Sequence, residues 1–226
     1  MTIGSRYSIL NNHKLELTLD NNEIQTADTF KMLGIQVDQM LTWDKQIDSV
    51  CLNITRKITL MKMLSKYVNQ DSLKLYFNSY ILPLFDYGCV VWGHCSANNM
   101  DRLLKFQKKA SRIILQAEFN TPSNQMFNIL NWLPIQKRVQ YHTCILVYKS
   151  LNNMISKPSM THQRHLRSTD NDLLYVPRSS TACYDKSFSI CGPKEWNKLP
   201  LEIRLSKTLS SFKKLLKMHL MSLSTI

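Results

Sequence analysis

The chain reads as mainly α with a small N-terminal antiparallel β-sheet, an α+β arrangement dominated by a helical bundle. Three observations carry that reading. Up to about residue 42, apolar residues alternate singly, as one buried face of a strand requires; from residue 43 they recur at helical spacing. Hydrophobic residues make up 44% of the 226, so the chain can bury a core. Only five glycines and 20% charged residues argue against a disordered tail or a flexible linker.

The strand signal comes first. Leu15, Leu17 and Leu19 alternate with Lys14, Glu16 and Thr18, Asp20-Asn21-Asn22 supplies a turn, and Glu23 to Thr26 returns. Leu33, Ile35 and Val37 alternate again, which predicts a short buried strand over Lys31–Val37 that pairs with the earlier ones and opens into a helix. Lys31 leads into it, and Gly34 would let another backbone approach closely. A sheet this small is marginal alone and would continue into strands lying upstream, leaving an open edge.

Helical stripes follow. Ile47, Val50, Cys51, Ile54, Ile58 and Met61 define one helix beginning near Trp43. A second, about 70–82, carries Leu73, Phe77, Tyr80 and Ile81, with Pro83 placed to end or bend it. A third, about 99–117, carries Leu103, Phe106, Ala110, Ile113 and Ile114. Thr121-Pro122 starts a short helix ending near Leu130, and Leu133-Pro134 starts another through Val139, His142, Ile145 and Leu146 to about Leu151. Residues 153–182 are polar, hold Pro158 and Pro177, and read as a linker. Residues 183–200 read as irregular with one short strand. A final amphipathic helix, about 207–221, sets Leu209, Phe212, Leu216 and Leu220 opposite Lys213, Lys214 and Lys217.

Charge narrows the partner. Net charge is +13. Residues 1–50 hold four Lys/Arg against seven Asp/Glu, and the remainder holds twenty-five against nine. A basic body joined to an acidic front suits a polyanion, nucleic acid before an anionic membrane; the alternative is a solvated basic surface with no dedicated partner. The six cysteines, at 51, 89, 95, 144, 183 and 191, form neither a disulfide framework nor a Cys-x-x-Cys pattern, which fits reduced thiols in a nuclear or cytoplasmic protein, not a secreted one. The longest apolar run, around 80–92, is broken by Pro83 and Asp86 and falls short of the roughly 20 residues of a membrane helix.

The sharpest binding pattern lies on the third helix. At about 100° per residue, Arg102, Lys105, Lys108, Lys109 and Arg112 fall within one arc of roughly 120°, apart from the apolar arc. No acid interrupts them, and Asp101 lies just before. A purely structural helix would intersperse glutamate, because like charges at i,i+4 cost a few tenths of a kcal/mol per pair. Five phosphate contacts would give a salt slope of about −4.5. A solvated face of like charges is the competing reading.

Four strings stand in fixed order: Lys31-Met32-Leu33-Gly34-Ile35-Gln36-Val37-Asp38 running on to Leu41-Thr42-Trp43; Tyr80-Ile81-Leu82-Pro83-Leu84-Phe85-Asp86-Tyr87-Gly88 with Val91-Trp92-Gly93; Gln107-Lys108-Lys109-Ala110-Ser111-Arg112-Ile113-Ile114; and Ser187-Phe188 with Trp196-Asn197-Lys198-Leu199-Pro200. Together they resemble the region downstream of the polymerase active site in non-LTR (LINE-type), especially jockey-like, retrotransposon reverse transcriptases. The resemblance covers nearly the whole chain. It implies a palm remnant with the primer-contacting strand over 1–42, a helical thumb-like domain over 43–152, a linker over 153–182 and a basic C-terminal region with a terminal helix over 183–226. It also implies that Lys31 and Gly34 support the primer end, and that the thumb grips an RNA or RNA/DNA primer–template. An ordinary strand with a packing glycine is the other reading of Lys31 and Gly34. Trp43 and Trp92 match family positions yet sit in apolar surroundings that suit core packing.

The family's catalytic Tyr-x-Asp-Asp turn and upstream aspartate do not occur in this sequence. Asp170-x-Asp172 is the one close carboxylate pair, in a polar stretch that cannot hold two metal ions rigidly. His94-Cys95 and His162-x-x-His165 lack the second ligand pair that zinc needs. The sequence therefore predicts no catalytic residues, no metal and no cofactor: a non-catalytic, nucleic-acid-binding part of a reverse transcriptase. Its rivals are a stand-alone basic helical binding module and a decayed transposon remnant.

Overall fold

A computed structural model describes residues 27–155, 173–179 and 181–223, together with Met1, Ile3, Gly4, Ile9, Thr18–Leu19 and Asn22–Glu23. The architecture is mainly α with a little antiparallel β-structure at the N-terminus. Strands β1 (Thr18–Leu19) and β2 (Asn22–Glu23) pair with each other, as do β3 (Thr29–Met32) and β4 (Ile35–Asp38). The expected joint sheet is corrected to two separate hairpins among the described residues. Leu15 and Leu17 lie outside those residues.

The expected single strand over Lys31–Val37 is also corrected. Met32 pairs with Ile35 across a two-residue turn, Leu33-Gly34, in which both residues have positive φ, 47° and 83°. Two positive φ values define the type I′ turn that suits the twist of a hairpin, and glycine takes the second position without a Cβ penalty. Leu33 points into solvent, 84% exposed. Alternation carries the strand pattern straight across a reversal of the chain.

Beyond β4 the Asp38 carboxylate organises the entry into the first helix. Its oxygens accept the backbone N–H groups of Met40 (3.1 Å), Thr42 (2.9 Å) and Trp43 (2.8 Å). Helix α1 (Asp44–Leu64) then buries its predicted stripe in full, Ile47, Val50, Cys51, Ile54, Ile58 and Met61. Buried Gln46 accepts the Gln36 N–H at 2.8 Å and ties β4 to this helix.

Helix α2 (Gln70–Tyr76), capped by Asn69, runs into a π-helical turn over Phe77–Ile81 and on into α3 (Leu82–Asp86). Pro83 neither stops the run nor has an N–H to place; the wider turn before it takes up the mismatch. The same extra residue keeps Leu73, Phe77, Ile81 and Phe85 on the buried side and turns Tyr80 outward, 57% exposed, against its expected core position. After the short α4 (Cys89–Trp92) comes α5 (Ala97–Leu115), capped by Ser96, then α6 (Ser123–Leu130) and α7 (Ile135–Leu151), the last two each preceded by proline as expected.

The expected irregular stretch at 183–200 is corrected to helix: α8 (Ala182–Asp185), α9 (Phe188–Asn197) and α10 (Leu201–Arg204) precede α11 (Leu209–Ser222). Gly192-Pro193 reads as a breaker, but burial decides here. Ile190, Gly192, Pro193 and Trp196 all face inward, and an added Cβ on Gly192 would stand 3.1 Å from Val147 Cγ2 of α7.

Two apolar cores result. The first gathers α1 to α5 with Ile135 and Val139 of α7, and includes Trp43 and Trp92. The second joins Cys144, Val147 and Tyr148 of the same helix to Trp196, Phe212, Leu216 and Leu220. Tyr148 stacks on Phe212 at 4.4 Å, and its hydroxyl donates to the Ser206 carbonyl at 2.9 Å. Helix α7 is thus the shared wall. Leu174 enters the second core, with its backbone N–H and carbonyl both bonded to the Asn197 side chain. Residues 156–172 and 180, which include His162, His165, Asp170 and Asp172, lie outside the described residues.

Candidate nucleic-acid interface

Helix α5 keeps the two faces its periodicity calls for. Met100, Leu103, Gln107, Ala110, Ser111 and Ile114 are buried, and Gln107 fixes the helix by donating to the Leu133 carbonyl at 2.7 Å. Phe106 and Ile113, expected in the core, are half-buried at its border. On the outward side Lys105 and Lys109 are exposed, while Arg102, Lys108 and Arg112 are half-buried.

The five cations are not equivalent. Arg102 donates to Asp48 of α1 at 2.5 Å and to Asn99 at 3.1 Å, so it fastens α5 to α1 beside the part-buried Asn99–Asp44 bond of 2.6 Å. The acid-free arc of the sequence gains a partner from 54 residues away in the chain. Among the described residues no carboxylate lies within ion-pair distance of Lys105, Lys108, Lys109 or Arg112. The Arg112 guanidinium lies 5.5 Å from the ring centroid of Phe119, and its Nε has no hydrogen-bond partner among the described residues. Four cations of this face are thus without a carboxylate partner among the described residues.

Lys31 and Gly34 stand on a different element. Lys31 is exposed on β3, and Gly34 forms the hairpin turn, where the nearest neighbour of an added Cβ would be the Tyr87 ring at 3.5 Å. No backbone makes a close approach there; the positive φ is what requires glycine. Helix α1 packs against both β4 and α5 and so sets the hairpin relative to the cationic face.

The Phe85-Asp86-Tyr87-Gly88 string is the seat of that hairpin, a role its sequence does not reveal. The Tyr87 hydroxyl donates to the Leu33 carbonyl at the turn, and the Tyr87 carbonyl accepts the Trp92 indole N–H at 2.8 Å. Gly88, at φ +63°, leaves room for Ile35 of β4: an added Cβ would fall closer than 3.0 Å to Ile35 Cδ1. Asp86 anchors the string from behind, accepting both Arg138 Nε and Nη2 of α7, the latter at 2.6 Å, with His142 Nε2 at 3.1 Å. Burial alone would raise the Asp86 carboxyl; the His142 imidazole beside it and the hydrogen-bonded Arg138 guanidinium outweigh that and hold the group below its ordinary value.

The remaining polar chemistry is quiet. All six cysteines are free. Burial pushes the Cys95 and Cys191 thiols up to about 11 and those of Cys89 and Cys144 to about 12, so these four are thiols at neutral pH. Burial lowers the His94 imidazole, keeping it neutral. Among the described residues no group of three or more His, Cys, Asp or Glu could hold a metal ion. No helix among them is long and apolar enough to cross a membrane.

No family model matches the chain, and no solved structure does. Among curated proteins, the chain is similar to a probable RNA-directed DNA polymerase from transposon X-element of Drosophila melanogaster, 23% identical over 117 residues. That stretch is 50% of this chain and 13% of the relative, so the chain spans a small part of the relative's length. The similarity supports an origin related to transposon RNA-directed DNA polymerases.

Proposed function

We propose that this chain is the nucleic-acid-holding part of a non-LTR retrotransposon reverse transcriptase: the end of the palm, a thumb and a basic C-terminal region, with catalysis carried by residues outside it. In this reading Lys105, Lys108, Lys109 and Arg112 contact backbone phosphates of an RNA or RNA/DNA primer–template, while Arg102 braces the helix that presents them. The hairpin with Lys31 and Gly34 supports the primer end from its seat on Tyr87 and Gly88. Backbone contacts of this kind position a duplex and do not read its sequence.

The single observation that carries the reading is the outward face of α5, which holds four cations with no carboxylate within ion-pair distance among the described residues. The similarity to a transposon polymerase supports the same direction. The test is the triple variant Lys105→Glu, Lys109→Glu, Arg112→Glu, with fluorescence anisotropy on an RNA/DNA hybrid. Affinity should fall by about 100-fold or more at low salt, with the thermal midpoint little changed because these side chains sit outside both cores. Unchanged affinity refutes the proposal.

One observation favours a second reading, a binding module that stands alone. Both apolar cores close among the described residues, with Trp92, Phe77, Tyr148 and Phe212 each at most 1% exposed. A single cooperative urea transition of this chain by itself would support that reading.

A further inference from the structure

We infer that Phe119 is a stacking platform for a nucleobase, placed where the cationic face of α5 ends. The inference deepens the proposed nucleic-acid role and rests on it. Phe119 is the most exposed large apolar side chain among the described residues, at 85%. Exposure alone assigns no partner, since Leu33 and Tyr67 are each 84% exposed; what sets Phe119 apart is the cationic helix face it adjoins.

The ring does not dangle. The chain leaves α5 through Gln116 in the left-handed region, φ 50°, and the Ala117 N–H returns to the Arg112 carbonyl at 3.1 Å. A tight turn follows, closed by the Thr121 N–H on the Glu118 carbonyl at 3.1 Å, with Phe119 at its tip. Two backbone bonds therefore fix the turn that carries Phe119, and the Arg112 guanidinium stands 5.5 Å from its ring centroid. Lys105, Lys109 and Arg112 climb about 10 Å along the helix axis and end beside that ring. Three cations and then an open aromatic face make the pairing that single strands use, phosphates on the cations and a base on the ring. Glu118, exposed in the same turn, disfavours a phosphate there, so the ring meets the face of a base. The ligand class is an unpaired or terminal nucleobase of the strand whose phosphates cross α5, taken without regard to its identity.

The test compares Phe119→Ala and Phe119→Trp on a short single-stranded oligonucleotide carrying 2-aminopurine at one end. Wild type and Phe119→Trp should bind alike and quench the probe. Phe119→Ala should bind about 5- to 100-fold more weakly, leave the probe bright, and keep the wild-type salt slope. Phe119→Ala binding within twofold of wild type overturns the platform, as does a loss of affinity that comes with a shallower slope, which would place the effect on Arg112. The triple glutamate variant separates the two levels of the argument. If it binds as wild type does, the phosphate contacts and the platform both fall; if it loses binding while Phe119→Ala does not, only the platform falls.

Discussion

Substituting Gly88 by alanine tests the hairpin seat at its tightest point. Two costs add. The residue sits at φ +63°, where a Cβ costs roughly 1–2 kcal/mol. The new methyl would also fall closer than 3.0 Å to Ile35 Cδ1 and 3.3 Å from Cγ1. Forcing a half-buried side chain aside in this way costs about 1–3 kcal/mol. The substitution should thus destabilise by about 2–5 kcal/mol in urea unfolding followed by tryptophan fluorescence. Ile35→Val removes the clashing carbon and alone should cost about 0.5–1.5 kcal/mol. In the Gly88→Ala background the same change should cost nothing or restore stability, giving a coupling of about 0.5 kcal/mol or more. The Trp92 indole, 3.6 Å from the added methyl, is in ordinary contact and should not contribute. Additivity of the two substitutions within about 0.5 kcal/mol would refute the seat, because it would mean that Gly88 and Ile35 do not meet.

Three further outcomes follow from the same geometry. Tyr87→Phe removes one exposed hydroxyl bond to the Leu33 carbonyl, so the global midpoint should move by about 0.5 kcal/mol or less while hairpin amides exchange faster with deuterium. Because Asp86 is held below its ordinary value in the folded state, its contribution is present above the unfolded carboxylate pKa of about 3.9 and is lost as pH falls through the folded value. Asp86→Asn should therefore flatten the acid limb of a stability–pH curve, and an unchanged limb would remove Asp86 from the account. Arg102→Gln should leave duplex affinity within about twofold of wild type and cost about 0.2–1 kcal/mol of stability, since the guanidinium faces Asp48 at the surface; a tenfold loss of affinity would return Arg102 to the binding face.

Local periodicity makes part of this legible in the sequence. The α1 stripe from Ile47 to Met61 and the cationic arc on α5 depend only on positions three and four apart, and both stand where the pattern places them. What escapes is set by contacts distant in the chain. Arg102 finds Asp48 across a helix interface, and nothing near residue 102 announces it. Gly192-Pro193 stays helical because α7 buries it, a packing effect that outweighs local preference. The Lys31–Val37 stretch misleads for the opposite reason: alternation continues through Leu33-Gly34 although the chain reverses there, and only the backbone angles separate strand from turn. The string around Asp86 to Gly88 looks like a motif with no stated duty, and its duty is to receive a hairpin that lies some fifty residues earlier in the chain.

The salt dependence of binding tests the central claim most directly. Plotting log affinity for an RNA/DNA hybrid against log salt should give a slope of about −3.6 for the wild type, four phosphates at about 0.9 each, and about −0.9 for Lys105→Gln, Lys109→Gln, Arg112→Gln. Equal slopes for the two proteins would contradict the account, because the outward face of α5 would then not be where this chain meets nucleic acid.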